Sequence, residues 1–166
     1  MPFPLSLTLT MSKYVMKNRL LGRDKFPLVL MLEPLHACNL TCTGCGRIRE
    51  YESTIKETIP VDQCLKAVED CGAPIVSICG GEPMIYKPLD DLVAQLMERK
   101  KFVYLCTNGM FIEKRLHEFK PSSHFFFNVH IDGLEKTHDL CVEREGVFKA
   151  AVAGIKAAKA AGFMVC

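Results

Sequence analysis

The chain has 166 residues, of which 49% are apolar and 24% are charged, and its formal net charge is +2. This size and balance are typical of one soluble domain with a substantial core. The small net charge and the absence of tryptophan argue against a nucleic-acid partner, which needs basic patches and stacking aromatic side chains. Nine cysteines at irregular spacing, several inside apolar runs, indicate a reducing compartment, so we expect a cytoplasmic protein.

The segment before the first apolar run predicts a helix over residues 9–21. Asp24 is the only acid among the basic side chains of this segment, which are Lys13, Lys17, Arg19, Arg23 and Lys25. Two interpretations stay open: a solvated helix packed on the domain, or a basic face that meets anionic lipids as a peripheral membrane contact. We treat residues 1–25 as an N-terminal helical extension and residues 26–166 as the core domain.

Four short apolar runs rich in β-branched and aromatic residues follow, at 26–33, 75–79, 102–106 and 125–131. Runs without polar alternation are typical of strands buried on both faces of a parallel sheet. All are far shorter than the ~20 apolar residues that a transmembrane helix needs. A fifth strand begins within the last residues of the sequence, so we expect this chain to be part of a longer protein.

Helical patterns separate these runs, at residues 61–71, 89–100, 112–119 and 147–161. The first follows Pro60 and ends at Gly72, in keeping with the preference for proline at helix starts and glycine at helix ends. Strand and helix therefore alternate four times before the fifth strand begins. This order predicts an α/β fold with right-handed crossovers, either a barrel or an open parallel sheet.

A cysteine triplet follows the first predicted strand, in which Cys38, Cys42 and Cys45 have the spacing C-x3-C-x2-C. In a parallel α/β fold this loop lies at the carboxyl edge of the sheet, where sites form. Three thiolates can hold three irons of a 4Fe–4S cube and leave the fourth iron open to a small molecule. The alternative is a structural zinc site with His36 as the fourth ligand, which the motif and its position disfavour.

Together with Gly80-Gly81-Glu82-Pro83 after the second strand, the triplet resembles the radical SAM superfamily. The resemblance implies a partial (β/α)6 TIM-like barrel, of which this chain supplies four βα units and the start of a fifth strand. It also implies a 4Fe–4S cluster that chelates S-adenosylmethionine (SAM) and takes an electron from a flavodoxin- or ferredoxin-type donor to form a 5′-deoxyadenosyl radical.

In such proteins the Gly-Gly-Glu-Pro turn contacts the methionine amino group, so the resemblance places Gly80, Gly81, Glu82 and Pro83 at SAM. Two glycines allow close backbone approach to the ligand, and Glu82 can stabilise an ammonium group. Many members carry an aromatic residue at the position of Gly44, which bears on adenine contacts but not on the cluster ligands.

Polar residues also follow the third and fourth strands. The resemblance places Asn108 near the SAM ribose and carboxylate, and the alternative is a plain strand-to-helix turn at Thr107-Asn108-Gly109. Asp132 has two open roles, accepting a hydrogen bond from a ribose hydroxyl or capping the next helix. Cys106 ends the third strand, where its S–H could donate a hydrogen atom to a product radical or serve only as a small core residue.

Longer stretches resemble the hopanoid-biosynthesis radical SAM enzymes, the adenosylhopane synthases, notably at residues 26–34, 70–78, 99–108 and 145–148. That resemblance implies addition of the 5′-deoxyadenosyl radical to a hopene lipid such as diploptene, with Cys106 as the hydrogen-atom donor. This sequence has Cys79 and Gly109 where members often have proline and alanine. The alternatives are another radical SAM reaction, such as peptide or cofactor modification, or a non-catalytic zinc or iron–sulfur module.

Overall fold

The computed structural model describes residues 4–46 and 51–166, and its centre is a sheet of five parallel strands in the order β1-β2-β3-β4-β5. The strands are β1 (Val29–Leu32), β2 (Ile75–Ile78), β3 (Phe102–Thr107), β4 (Phe125–Val129) and β5 (Met164–Val165). Every strand pairs with its neighbour in the chain, without the reversal of strand order that marks a doubly wound sheet. This arrangement confirms the expected α/β fold and is consistent with part of the expected (β/α)6 barrel.

Six α-helices in the described part of the chain accompany the sheet: α1 (Leu5–Leu20), α2 (Val61–Cys71), α3 (Leu89–Glu98), α4 (Ile112–Arg115), α5 (Glu135–Cys141) and α6 (Val147–Ala160). Short 3-10 turns lie at Glu52–Thr54, Pro83–Ile85 and Leu116–Glu118. The predicted helices are all present, although α1 begins earlier than expected and α4 continues as a 3-10 turn. The sequence patterns did not predict α5, which is a short helix with few apolar residues.

The main core lies between the sheet and the helices that follow its strands. Alternate strand residues point to this side and are fully buried, among them Val76, Ile78, Val103, Leu105, Phe125 and Phe127. They pack against apolar faces of α2, α3 and α6. Leu92 and Leu96 of α3, both fully buried, are typical members of those faces. The helices therefore hold the strands in register, so that the carboxyl ends of β1 to β4 meet at one edge.

The opposite face of the sheet is covered in part by α1. Leu7 of α1 packs with Phe102 and Phe126, whose rings point away from the main core. On β1 the same face is open, because Val29 and Met31 are 45% and 59% exposed. The expectation that every strand is buried on both faces is therefore wrong for β1, an edge strand that α1 does not fully cover.

The exposed surface of α1 carries both apolar and basic side chains. Leu5, Leu9, Met16 and Leu20 are at least half exposed, and Lys13, Lys17 and Arg19 are exposed beside them. Within the described residues, no helix combines the length and the apolar character needed to cross a membrane.

Candidate functional site

A cavity of about 780 Å³ opens at the carboxyl edge of the sheet, where the loops after β1 to β4 converge. Its walls include every predicted site residue except Pro83: Cys38, Cys42, Cys45, Gly80, Gly81, Glu82, Cys106, Asn108 and Asp132. Pro83 is buried at the start of the 3-10 turn after β2. The parallel sheet thus brings together residues from four separate segments.

The cysteine loop is held against the segment that contains α5 and α6. Leu40 is buried in a small cluster with Val142 and Val147, and Cys38 and Cys42 pack against the same cluster. The backbone N–H of Thr43 donates to the carbonyl of Cys141 at 3.2 Å. The helix that sequence patterns missed, α5, therefore helps to position the cysteine motif.

The thiols of the motif lie in a partly dehydrated environment. Burial raises the pKa of Cys38 and of Cys42 above the usual range of a thiol. The backbone N–H of Leu40 donates to the Cys38 sulfur at 3.4 Å and opposes this rise. Thiolates in such a place need a positive partner, and iron is one.

The Gly-Gly-Glu-Pro turn packs directly against the loop that leads to Cys38. The N–H of Gly81 donates to the Leu35 carbonyl at 3.2 Å, and the N–H of Glu82 donates to the Ala37 carbonyl at 2.9 Å. A Cβ atom on Gly80 would collide with the Leu35 carbonyl, and one on Gly81 with the Ala37 carbonyl. The lack of a side chain at each glycine therefore lets two backbone segments meet, rather than leaving room for a ligand on that side.

Glu82 is 1% exposed and joins the ends of two strands. Its Oε1 accepts from the Thr107 hydroxyl at 2.7 Å and from the Met84 N–H at 2.9 Å, while Oε2 accepts from the Asn108 N–H at 2.8 Å. Burial raises the pKa of Glu82, and these hydrogen bonds act in the opposite direction. The carboxyl group lines the cavity and also holds its walls together.

Asn108 extends this network to the cysteine loop. Its side-chain amide donates to Asn39 Oδ1 at 2.9 Å, and its Oδ1 accepts from the Met110 N–H at 3.1 Å. The alternative, a strand-to-helix turn at these residues, also has support. Gly109 has a φ of +83°, and its N–H donates to Thr107 Oγ1 at 3.1 Å. Asn108 thus fixes the spacing between the cysteine loop and the end of β3.

Asp132 does not cap the helix that follows it. Helix α5 begins at Glu135 and has no side-chain cap. Instead, Asp132 Oδ1 lies 2.9 Å from His130 Nε2 and Oδ2 lies 3.6 Å from Nδ1 of His138. His138 is fully buried, its Nδ1 accepts from the Asp132 N–H at 3.2 Å, and its Nε2 has no hydrogen-bond partner among the described residues. Sequence reasoning missed His138 because nothing in the local pattern marks it.

Cys106 faces the cavity instead of the main core. Ser77 Oγ lies 3.3 Å from its sulfur, and Asn128 Nδ2 donates to that sulfur at 3.4 Å. Hydrogen bonds from Cys79, Ser77 and Asn128 lower the pKa of Cys106 to about 5, and burial acts in the opposite direction. Cys79 was not expected to act with Cys106. The strand register, invisible in the linear sequence, brings them together.

A second cavity, of about 570 Å³, lies between α1 and the sheet. Its walls are mostly apolar and comprise Leu7, Thr8, Met11, Ser12, Val29, Met31, Ile75, Ser77, Tyr104 and Asn128. Asn128 also lines the first cavity, and both Asn128 and Ser77 contact the Cys106 sulfur. Cys106 therefore lies at the boundary between a polar, thiol-lined cavity and an apolar one.

The sequence profile of the radical SAM superfamily matches residues 32–166. The chain belongs to this superfamily. It is 26% identical over 149 residues to the Fe-coproporphyrin III synthase of Methanosarcina barkeri, covering 87% of this chain and 37% of that protein. It is 30% identical over 145 residues to GTP 3′,8-cyclase 2 of Pseudomonas aeruginosa, covering 81% of this chain and 42% of that protein. The chain thus spans about two fifths of the length of these relatives.

Solved radical SAM structures have the same fold. The structure of Streptococcus suis SuiB bound to S-adenosylmethionine matches with a TM-score of 0.70 and 23% identity, over 93% of this chain and 35% of that chain. The structure of anSMEcpe with bound AdoMet and a peptide matches with a TM-score of 0.62 and 22% identity, over 84% of this chain and 42% of that chain. Radical SAM enzymes use a 4Fe–4S cluster and SAM.

The residues of this chain fit a radical SAM cluster better than a single zinc ion. His36, the expected fourth zinc ligand, has its Nδ1 2.9 Å from Thr54 Oγ1, and its ring stacks on Tyr51. Over residues 4–46 and 51–166, no three His, Cys, Asp or Glu side chains are grouped to hold one metal ion. The three motif thiols line one cavity, where they would hold three irons of a 4Fe–4S cluster.

Proposed function

We propose that this chain forms the radical-generating part of an enzyme that adds a 5′-deoxyadenosyl radical to the alkene of a hopene lipid such as diploptene. The position of Cys106 at the boundary of the two cavities carries the proposal. A polar, thiol-lined cavity on one side suits an adenosyl group, and an apolar cavity on the other suits a hydrocarbon. A new carbon–carbon bond would form where the two cavities meet.

The polar cavity contains the groups that such a reaction needs. Cys38, Cys42 and Cys45 would hold the cluster, which together with SAM and an electron from a flavodoxin- or ferredoxin-type donor supplies the 5′-deoxyadenosyl radical. For the SAM contacts we propose the turn Gly80-Gly81-Glu82-Pro83 with Asn108 and Asp132. Support comes from the convergence of these residues, except Pro83, on the cavity that the three thiols line. Pro83 is buried in the adjoining 3-10 turn.

The apolar cavity supports a hydrocarbon substrate. Its volume of about 570 Å³ falls within the usual range of small-molecule sites, ~300–1,000 Å³. Leu7, Met11 and Ile75 provide apolar walls, and Tyr104 adds an aromatic surface stacked on Phe126. Burial of apolar surface here would stabilise a bound lipid by ~25 cal/mol per Å².

Cys106 would complete the reaction. Radical addition leaves an unpaired electron on a carbon of the substrate, and this carbon must gain a hydrogen atom. The thiol form of Cys106, which is in equilibrium with the thiolate, carries a hydrogen atom at the cavity boundary near both reactants. Its S–H bond breaks as the new C–H bond forms. A Cys106→Ala variant should still cleave SAM but lose most of the reduced adduct, whereas Cys71→Ala, on the outer helix α2, should behave like the parent protein.

Another radical SAM reaction is the second candidate, because the sequence relatives include a GTP 3′,8-cyclase and an Fe-coproporphyrin III synthase. A solved structure of SuiB also contains its precursor peptide SuiA. GTP is anionic, however, and the described residues in the walls of the apolar cavity include no charged side chain that could pair with its phosphates. The hydrocarbon therefore remains the favoured substrate class.

One assay separates these candidates. The full-length protein is loaded anaerobically with iron and sulfide, then given SAM, a reductant, and either diploptene or GTP. Mass spectrometry should detect an adenosyl–triterpene adduct only with diploptene. If 5′-deoxyadenosine alone appears, the hopene proposal is wrong although radical generation stands. A cyclised nucleotide in the GTP sample would favour the second candidate.

A lipid substrate also requires access to a membrane surface, and we propose that α1 provides it. Exposed Leu5, Leu9 and Leu20 lie among the exposed basic residues Lys13 and Lys17, a combination that suits anionic headgroups. Binding to vesicles of phosphatidylglycerol and phosphatidylcholine should fall in a K13E/K17E variant. The same charge change on the exposed face of α6, K156E/K159E, should leave binding unchanged. Equal losses in both variants would show only a net-charge effect.

A further inference from the structure

Two thiols, Cys79 directly after β2 and Cys106 in β3, lie side by side in the wall of the polar cavity. The parallel register pairs Ser77 with Tyr104 and Ile78 with Leu105, so the next pair along is Cys79 and Cys106. Adjacent strands lie ~4.8 Å apart. That spacing falls within the range of ~4.4–6.8 Å between the Cα atoms of disulfide-bonded cysteines.

Polar groups around the pair favour a single negative charge on it. Asn128 donates to the Cys106 sulfur, and Ser77 Oγ lies 3.3 Å from the Cys106 sulfur and 3.8 Å from the Cys79 sulfur. The Cys79 S–H donates to the Ser77 carbonyl at 3.3 Å. The hydrogen bond with Cys106 and burial raise the pKa of Cys79, whereas the pKa of Cys106 is lowered. The pair therefore favours a form that carries one proton and one negative charge.

We propose that Cys79 and Cys106 form one redox-active thiol pair. Cys79 is the second reacting thiol, and hydrogen-atom donation by Cys106 to the substrate radical is followed by formation of a Cys79–Cys106 disulfide. This inference rests on the proposed function for its role in catalysis. The ability of the two thiols to form the disulfide rests on their geometry alone.

The singly protonated thiol pair, of charge −1, gives its hydrogen atom to the substrate carbon radical, and a new C–H bond forms there. The remaining electron is spread over a partial bond between the two sulfurs, a disulfide radical anion of charge −1. Loss of that electron to a one-electron acceptor of the flavin or iron–sulfur class completes the S–S bond. An external dithiol then returns the disulfide to two thiols by exchange.

The first test needs no substrate. Cluster-loaded protein is exposed anaerobically to oxidised glutathione, its remaining thiols are alkylated, and tryptic peptides are analysed by mass spectrometry. A Cys71→Ser background leaves Cys79 as the only cysteine in peptide 67–99, and Cys106 is the only cysteine in peptide 102–114. We expect these two peptides to be linked. Addition of Cys79→Ser should abolish the link and leave glutathione on Cys106.

Separate recovery of the two peptides from the Cys71→Ser protein, alkylated or carrying glutathione, would overturn the pair. The control is the same Cys71→Ser protein without oxidised glutathione, and the linked peptides should be absent from it. Because this readout is independent of SAM and lipid, it does not depend on whether the proposed function is correct.

The second test follows turnover with SAM, diploptene and a flavodoxin-type reductant, with and without dithiothreitol. Without the dithiol we expect no more than one equivalent of adduct per protein, together with the linked peptide, and several-fold more adduct when the dithiol is present. Repeated turnover without a dithiol and without the link would overturn the catalytic role. A link in the first test with no adduct in the second would refute the hopene reaction and keep the thiol pair.

Discussion

The carboxylate of Glu82 accepts a hydrogen bond from the backbone N–H of Asn108 at 2.8 Å, and so connects the turn after β2 to the turn after β3. The same carboxylate accepts from the Thr107 hydroxyl at 2.7 Å. Asn108 in turn donates to Asn39 of the cysteine loop. One buried acid therefore sets the spacing of three loops that line the polar cavity, in addition to any contact with a ligand.

Replacement of Glu82 by alanine should destabilise the protein. The hydroxyl of Thr107 and the N–H groups of Met84 and Asn108 would lose their acceptor, so the free energy of unfolding should fall by about 3 kcal/mol. Urea unfolding followed by circular dichroism measures this change. The exposed Glu98→Ala substitution at the end of α3 removes the same group without buried partners and should stay close to the parent protein. Equal stability of the two variants would contradict this role of Glu82.

Gly81 and Gly44, which both line the polar cavity, should respond differently to an added methyl group. Gly81→Ala places a Cβ against the Ala37 carbonyl and must displace the loop that leads to Cys38. We expect a loss of about 3 kcal/mol in unfolding free energy, typical of severe overpacking, and reduced iron content after reconstitution. Gly44→Ala meets nothing within 4 Å and should keep both properties. A folded Gly81→Ala protein with full iron content would show that the loop can relax.

Iron binding should depend on three cysteines and not on a fourth in the same cavity. Serine substitution of Cys38, Cys42 or Cys45 should each abolish the brown colour and most of the bound iron, because serine does not replace a thiolate at iron. Cys141 also lines the cavity but lies outside the motif, so Cys141→Ser should retain both. Iron per chain and visible absorbance provide the readout. Loss of iron in Cys141→Ser would require a different ligand set.

Cys106 should react as a thiolate at unusually low pH. Its pKa is lowered to about 5, with the hydrogen bond from Cys79 as the largest cause. The rate of alkylation by iodoacetamide should therefore change little between pH 8 and pH 6 and fall only as the pH drops through about 5. Asn128→Ala removes one donor to the sulfur and should move the midpoint to higher pH. A parent midpoint above pH 8 would contradict the hydrogen-bonded arrangement.

Local signals were sufficient for most elements of the fold. Apolar runs without alternation marked the strands, and the Pro60 and Gly72 boundaries marked α2, since these residues have local conformational preferences. Helix α5 escaped because only seven residues form it and they show no apolar stripe. Its formation depends on tertiary contacts, including Asp139 Oδ1 and Oδ2, which accept from the N–H groups of Phe148 and Gly146.

The sequence by itself determined the superfamily and the succession of strands and helices, because these depend on spacing and on local periodicity along the chain. The same spacing predicts the three cluster cysteines. Only the tertiary structure decided that Gly80 and Gly81 contact the cysteine loop, that Glu82 joins two strand ends, and that Cys79 lies beside Cys106. These contacts join residues far apart in sequence, and the register of parallel strands, set by core packing, brings them together. A linear pattern carries no measure of that register.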